Sequence, residues 1–376
     1  MTRLMISKEK INQAGYYLIG KNSKLSKDES NSILEKFRSI HRHPMTLFRH
    51  TIERKLKKFN IKSPLVSQRL KRIPSIVKKL KIQKTMGLSR MQDIGGLRVV
   101  VNTIEEVNLI RDELKNVEKH RNFKFTFVNE KNYIEVILLE SGYRSIHMIY
   151  KYDKGVVLEK QCRVEIQIRT KIQHSWATAV EVTGTYLNQP LKQSFGEQKY
   201  LDIFKNISKL FISLESKKID YEFIKKIEKD VEEMQLLKKL QSFKIITNHL
   251  DKNAKGKYLL LKMNFKDNEI DIRQYSDARF EQANKDYLDM ELDCLNNKAV
   301  EVVLLSIQDI NKLKQSYPNY FMDTEEFIKN MNILFKLASQ HESIEKTISS
   351  IKNKKSRKKA ETMVKNITEK ILKPFD

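Results

Sequence analysis

Residues 163–169 read RVEIQIR, and the alternation in that run decides the fold class. Successive side chains of a strand point to opposite faces, so Arg163, Glu165, Gln167 and Arg169 share one side and Val164, Ile166 and Ile168 the other. The run is a strand with a dry back and a polar, mixed-charge front. A solvated outer face of an amphipathic sheet would show the same alternation. An acid, an amide and two guanidiniums in sequence also make a floor for a phosphate and metal site.

Outward from this strand, GLRVVVN (96–102) is a short β-branched run typical of a buried strand. FKFTFV (123–128), YIEVILL (133–139) and IHMIYKY (146–152) are further strand candidates. Helical spacing marks 5–20, 28–58, 104–118 and 171–182, and a basic helical segment is expected over 63–82, after Pro64. The expected fold class is α+β, a mixed β-sheet flanked by helices. From about residue 195 the pattern changes. Residues 198–243 are charge-laced and helical; strands are expected at 257–265, 269–274 and 299–306, with a helix at 279–290. Asp323 with Glu326 forms a candidate capping box before EEFIKNMNILFKLA. The reading is two domains, 1–195 and 196–376, the second helical with a small β-containing core, its helical ends able to pack back on the first.

Composition narrows the function. With 376 residues and 40% hydrophobic content, two cores are affordable. No apolar run reaches the roughly 18 residues of a membrane span, and MTRLMISKEKINQAG lacks a signal-peptide core. Cys162 and Cys294 stand alone, which excludes a disulfide framework or a thiolate zinc site. A cytoplasmic protein without a membrane partner is the expectation. Of the net charge of +25, about +20 falls in residues 1–200 and about +12 in 51–90 alone; IKNKKSRKKA (351–360) adds about +6. Charge so concentrated points to a polyanionic partner, either nucleotide phosphates or RNA.

Asp93 precedes Gly95-Gly96 and the buried strand, and paired with Glu165 it could hold Mg²⁺ between the oxygens of ATP. Arg69, Lys71, Arg72, Lys78 and Lys79, with the Ser75 hydroxyl, supply the counter-charge.

Five stretches in order carry a specific resemblance: RLKRIPSIVKK (69–79), RMQDIGGLRVVV (90–101), GYRSIH (142–147), VEIQIRT (164–170) and QHSWATAVE (173–181). Together they resemble the RelA/SpoT synthetases, pyrophosphokinases with a nucleotidyltransferase-like sheet that move the β,γ-diphosphate of ATP to a ribose 3′-hydroxyl. The resemblance implies that Arg69, Lys71, Ser75 and Lys79 bind the ATP phosphates and that Arg98 lies near the nucleotide. Asp93 would bind Mg²⁺, and Glu165 would bind it too or act as base. Tyr143 would stack on the acceptor base, while Arg144, His147, Gln167 and Arg169 would hold phosphate or ribose. The chain departs from the family at NYIEVILLESGYR (132–144), which has Asn132 and no Pro-Lys pair, on the acceptor side.

Residues 10–20 (KINQAGYYLIG) and 37–56 (FRSIHRHPMTLFRHTIERKL) look like single-domain and fused synthetases. The C-terminal half resembles CapRel-type fused toxin–antitoxin proteins, above all at SYPNYFMDTEEF (316–327) with its Tyr317-x-x-Tyr320 pair. That resemblance implies a metal-free, zinc-finger-like β core whose tyrosines cover the ATP site. It further implies transfer to the 3′-CCA end of tRNA and release of the block by a phage protein. A (p)ppGpp synthetase acting on GDP or GTP, with a regulatory extension, is the alternative.

Overall fold

The computed structural model describes residues 6–117, 123–135, 141–153, 162–186, 189, 191, 194–234, 236, 237, 240, 258–264, 269–294, 300–306 and 324–350. Its centre is a mixed five-stranded sheet in the order β1-β2-β5-β4-β3. The strands are β1 (Leu65–Leu70), β2 (Gly95–Val101), β3 (Phe125–Asn132), β4 (Ile146–Tyr152) and β5 (Arg163–Thr170). β2 and β5 run parallel, and the other neighbours are antiparallel.

The alternation in RVEIQIR sets the two faces. Val164, Ile166 and Ile168 are fully buried with Leu97, Val99, Val101 and Met148. They pack on Phe48 and Ile52 of α3 (Arg42–Lys58) and on Val107, Ile110 and Leu114 of α5 (Ile104–Val117). Burying a branched side chain stabilises the fold by about 1.5–3 kcal/mol, so this back face fixes the strand register.

Three expectations are corrected. Residues 63–82 are not one helix: 65–70 form strand β1 against β2, and α4 (Ile73–Ile82) begins only after it, with Pro74 in its first turn, where no N–H is needed. Residues 28–58 split into α2 (Lys27–Ser39) and α3. A continuous helix would need an N–H from Pro44 to the carbonyl of Ile40, and proline has none. Residues 133–135 are a turn rather than the start of a strand. The Asn132 side-chain oxygen accepts from the amides of Ile134 (3.0 Å) and Glu135 (3.2 Å), which closes the chain on itself as β3 ends. Residues 136–139 of that candidate strand and Asp323 of the candidate capping box lie outside the described residues. A capping box does form at α2, between Ser26 and Glu29.

At the junction of α2 and α3, His41 is 1% exposed; its Nδ1 lies 2.9 Å from the Phe37 carbonyl. Burial pushes its pKa down from 6.5 to about 4, partly offset by that backbone bond. The unfolded chain therefore binds the extra proton first. His41 contributes stability that is present above pH 6.5 and is lost as pH falls toward 4. Relative to His41→Leu, the wild type should lose about 2 kcal/mol between pH 7.5 and pH 5 in urea unfolding. An unchanged difference between the two proteins would show that His41 does not titrate across that range.

The helical core does not stop at residue 195. α6 (Lys171–Tyr186) shares one apolar cluster with α7 (Gln198–Glu215), α8 (Tyr221–Glu233) and α10 (Glu325–Ser350), joined by Trp176, Phe204, Phe211, Ile227, Phe327 and Leu334. The Trp176 indole donates to the Phe204 carbonyl at 2.8 Å. A second, antiparallel sheet in the order β7-β6-β8 comprises β6 (Tyr258–Asn264), β7 (Glu269–Tyr275) and β8 (Val300–Ser306). It packs on α9 (Phe280–Asp293) through Leu260, Ala283 and Val302. Leu288 of α9 joins the cluster of Leu34, Phe37, Ile73 and Ile76 on the N-terminal helices. No helix of the described residues is long and apolar enough to cross a membrane.

Candidate active site

Strand register gathers the polar front of the sheet. Arg69 of β1 lies opposite Gly96 and Ser67 opposite Arg98; across the parallel pair, Gly96 matches Glu165 and Arg98 matches Gln167. His147 of β4 then pairs with Gln167. These residues line one pocket of about 500 Å³, roofed by α4 and α6. Its wall carries seven Lys or Arg side chains against three carboxylates, a surplus suited to an anionic ligand.

On the α4 side, Asp93 Oδ2 accepts from Lys71 Nζ at 2.9 Å and from Lys79 Nζ at 3.0 Å. Its Oδ1 is buried with no hydrogen-bond partner. Ser75, in the first turn of α4, and Lys78 also face the cavity. A helix N-terminus of this kind favours phosphate. Arg69, Arg98 and Arg169 crowd the floor. Burial, reinforced by the charges of Arg169 and Arg69, pushes the Arg98 guanidinium down to about 9. It stays cationic at neutral pH, and the Nε atoms of Arg98 and Arg169 are buried without a hydrogen-bond partner.

On the β4 side, His147 bridges two predicted residues. Its Nε2 lies 2.8 Å from the Tyr143 hydroxyl and its Nδ1 3.2 Å from Glu165 Oε1, while Gln167 Nε2 donates to Glu165 Oε2 at 2.8 Å. Burial alone would raise the Glu165 pKa, but the bonds to His147 and Gln167 and the charge of Lys71 outweigh it and hold the carboxyl ionised. Burial likewise disfavours the His147 cation, and Tyr143 with Glu165 outweighs that, so His147 is raised above its ordinary value. Tyr133 stands edge-on to both Tyr143 (5.8 Å) and His147 (5.1 Å). Gly142 (φ 74°) lets the chain turn tightly here: a Cβ would meet Ser208 at 2.9 Å and Trp176 at 3.2 Å.

Asp93, Glu165, Arg69, Lys71, Ser75, Lys79, Arg98, Tyr143, His147, Gln167 and Arg169 thus share one cavity. Arg144 is not brought to it: the guanidinium is 7% exposed and paired with Glu215 of α7, which also accepts from Thr170 Oγ1 at 2.6 Å. Tyr143 faces the cavity, while the Arg144 guanidinium is drawn the other way by Glu215 of α7. Tyr317 and Tyr320 lie outside the described residues. The sequence reading missed Glu181 of α6, which lines the pocket 3.7 Å from Arg72, and Ser67. Glu181 closes the quoted QHSWATAVE motif, which is the one signal for it; Ser67 faces the pocket because 65–70 is a strand, where a helix was expected.

Among the described residues no group of three or more His, Cys, Asp and Glu side chains forms a metal cage. Magnesium needs none, since one or two carboxylates with substrate phosphates and water suffice. Asp93 with its unpartnered Oδ1, and the ionised Glu165, fit that requirement.

Residues 68–190 match the family described as the region found in RelA/SpoT proteins. The chain is 36% identical over 117 residues to GTP pyrophosphokinase YjbM of Bacillus subtilis (strain 168), a match covering 30% of this chain and about half (52%) of that protein. The small alarmone synthetase 1 of B. subtilis bound to its product pppGpp superposes with a TM-score of 0.42 at 24% identity, covering 49% of this chain and 93% of that one. A GTP pyrophosphokinase family protein from Streptococcus pneumoniae gives 0.38 at 25% identity, covering 57% and 98%.

Proposed function

Residues 68–190 of the chain are a RelA/SpoT region, and from that premise we propose an ATP-dependent pyrophosphokinase acting on a ribose 3′-hydroxyl. The observation that carries the reading is the pocket itself, where Lys71 and Lys79 converge on Asp93 beside a buried guanidinium floor and an ionised Glu165. In the transfer, the 3′-oxygen bonds to the β-phosphorus, the bond from that phosphorus to the α,β-bridging oxygen breaks, and AMP leaves. Charge gathers on the phosphoryl oxygens, so fixed cations account for most of the rate. Arg69, Lys71, Ser75, Lys79 and Arg98 bind the ATP phosphates. Lys71 and Lys79 turn from Asp93 to the polyphosphate, which frees both Asp93 oxygens. Mg²⁺ held by Asp93 and Glu165 would supply Lewis-acid stabilisation of those phosphates. Tyr143 stacks on the acceptor base, and His147, Gln167 and Arg169 hold its ribose or phosphate. An ionised carboxylate at position 165 serves there as ligand or as proton acceptor.

The preferred acceptor is the 3′-CCA end of tRNA, since a net charge of +25 exceeds what a mononucleotide requires. The guanine-nucleotide reading, a (p)ppGpp synthetase, has its own support in the 36% identity to a GTP pyrophosphokinase. Full-length protein given γ-³²P-ATP with deacylated tRNA, GDP or GTP decides between them. Label on tRNA supports the first reading and label confined to guanine nucleotides the second; label on none, from the wild type and from Tyr320→Ala alike, rejects the enzyme.

For residues 196–376 the proposal is an internal cover, with Tyr317 and Tyr320 over the ATP site and a phage protein as releasing partner in antiviral defence. Tyr320→Ala is expected to increase transfer by full-length protein at least severalfold. Equal rates would remove the cover from the account.

A further inference from the structure

We propose that Glu291 of α9 is a positioning residue for α4, so that the ATP side of the pocket is completed from the far end of the chain. The inference rests on the pyrophosphokinase reading and adds a part of the donor site that the cover does not include.

α4 needs outside help at its start. Arg72, its N-cap residue, makes no side-chain capping bond, and Pro74 offers no N–H. Ile76 N donates to the Arg72 carbonyl at 3.0 Å, but the Ile73 amide is buried at the helix start. Glu291 Oε1 accepts from that amide at 2.6 Å, across a sequence separation of 218 residues.

Glu291 is itself held rigidly. It is 2% exposed and lies 3.5 Å from Arg38 of α2, whose guanidinium also donates to the Tyr287 hydroxyl at 3.1 Å and sits over that ring. Two turns from Glu291 on the same helix, Asn284 accepts from Arg42 at 2.5 Å. Leu288 fills the space between, against Ile73 and Ile76. This is a buried carboxylate, bonded to the Ile73 amide and ion-paired with Arg38, at the foot of the helix that presents Ser75, Lys78 and Lys79 to the cavity. Breaking the bond orphans a buried amide and loosens the turn that carries Arg72 and Ser75. Misplacing those groups weakens the hold on phosphate before it touches the acceptor side.

The test uses full-length protein, with ATP binding measured by calorimetry without acceptor, steady-state transfer, and hydrogen exchange at the first turn of α4. Glu291→Ala should raise the ATP dissociation constant and the KM for ATP roughly tenfold, the scale of one lost buried hydrogen bond. The kcat at saturating ATP and the acceptor KM should stay within about twofold, and the Ile73 amide should exchange faster. Glu291→Gln keeps an acceptor oxygen in place and should restore most of the ATP affinity. Should the alanine variant not fold, Glu291→Asp, which withdraws the oxygen by one methylene, should show the same KM-selective loss. Wild-type ATP affinity in the alanine or aspartate variant overturns the proposal, as does equal loss with Gln and Ala. Wild-type and Tyr320→Ala proteins that both bind ATP without transferring label contradict the pyrophosphokinase reading alone, because affinity and exchange still report on Glu291.

Discussion

Glu165→Gln is expected to lower diphosphate transfer by roughly 10²–10⁴-fold while leaving ATP affinity within a few fold. The amide is nearly isosteric, so Gln167 and His147 keep a partner at position 165 and the strand register with Gly96 is untouched. What disappears is the charge. In the native site His147 and Gln167 hold the carboxyl ionised against the cost of burial, and Glu165 in turn favours the His147 cation. A neutral amide neither holds a metal as a carboxylate does nor accepts a proton from the attacking hydroxyl. Single-turnover transfer at saturating ATP, with circular dichroism to confirm folding, is the measurement. Retention of a tenth or more of the wild-type rate would remove Glu165 from the chemistry.

The central sheet was legible because its signals are local: RVEIQIR announces one dry face by alternation, GLRVVV a buried strand by its β-branched run, and both are strands of the sheet. LVSQRL was not legible. Its apolar residues, Leu65, Val66 and Leu70, do not alternate with the polar ones, and it becomes a strand through antiparallel pairing with β2, which no local window contains. The site was legible where a short motif carries it, as for Ser75 and Lys79 on α4 and for Asp93 in the loop before β2. It failed at Arg144, where direction is set by a partner 71 residues away in α7. It failed also at Glu181, whose charge matters only because α6 crosses the sheet front.

The same distinction governs the C-terminal half. The sequence marked α7, α8 and α10 as helical ends able to pack back on the first domain, but not that they would share one core with α6. A cut near residue 195 would expose Trp176 and Val180 to water along with the rest of that face. Function in the two halves is therefore better dissected by point substitutions in the intact chain.

Asp93→Asn separates two effects of one carboxylate. Transfer should fall by two or more orders of magnitude, since the variant loses a charge that the phosphates and Mg²⁺ need during the reaction. Binding of ATP in EDTA should move the other way. Lys71 and Lys79 both spend their charge on Asp93 Oδ2 in the nucleotide-free site. An incoming polyphosphate must compete with that carboxylate for them. Replacing it removes one of the three negative side chains facing seven cations in the cavity. After solvent screening, one unit charge at this range is worth about 1 kcal/mol, so metal-free ATP should bind roughly fivefold tighter. Added Mg²⁺ should then strengthen binding less than it does in the wild type, because the unpartnered Oδ1 has become part of an amide. Calorimetry of both proteins with and without Mg²⁺ reads all three terms. Weaker binding in EDTA would mean that Asp93 props the two lysines in place rather than competing for them, and the exchange of partners proposed for ATP entry would be wrong.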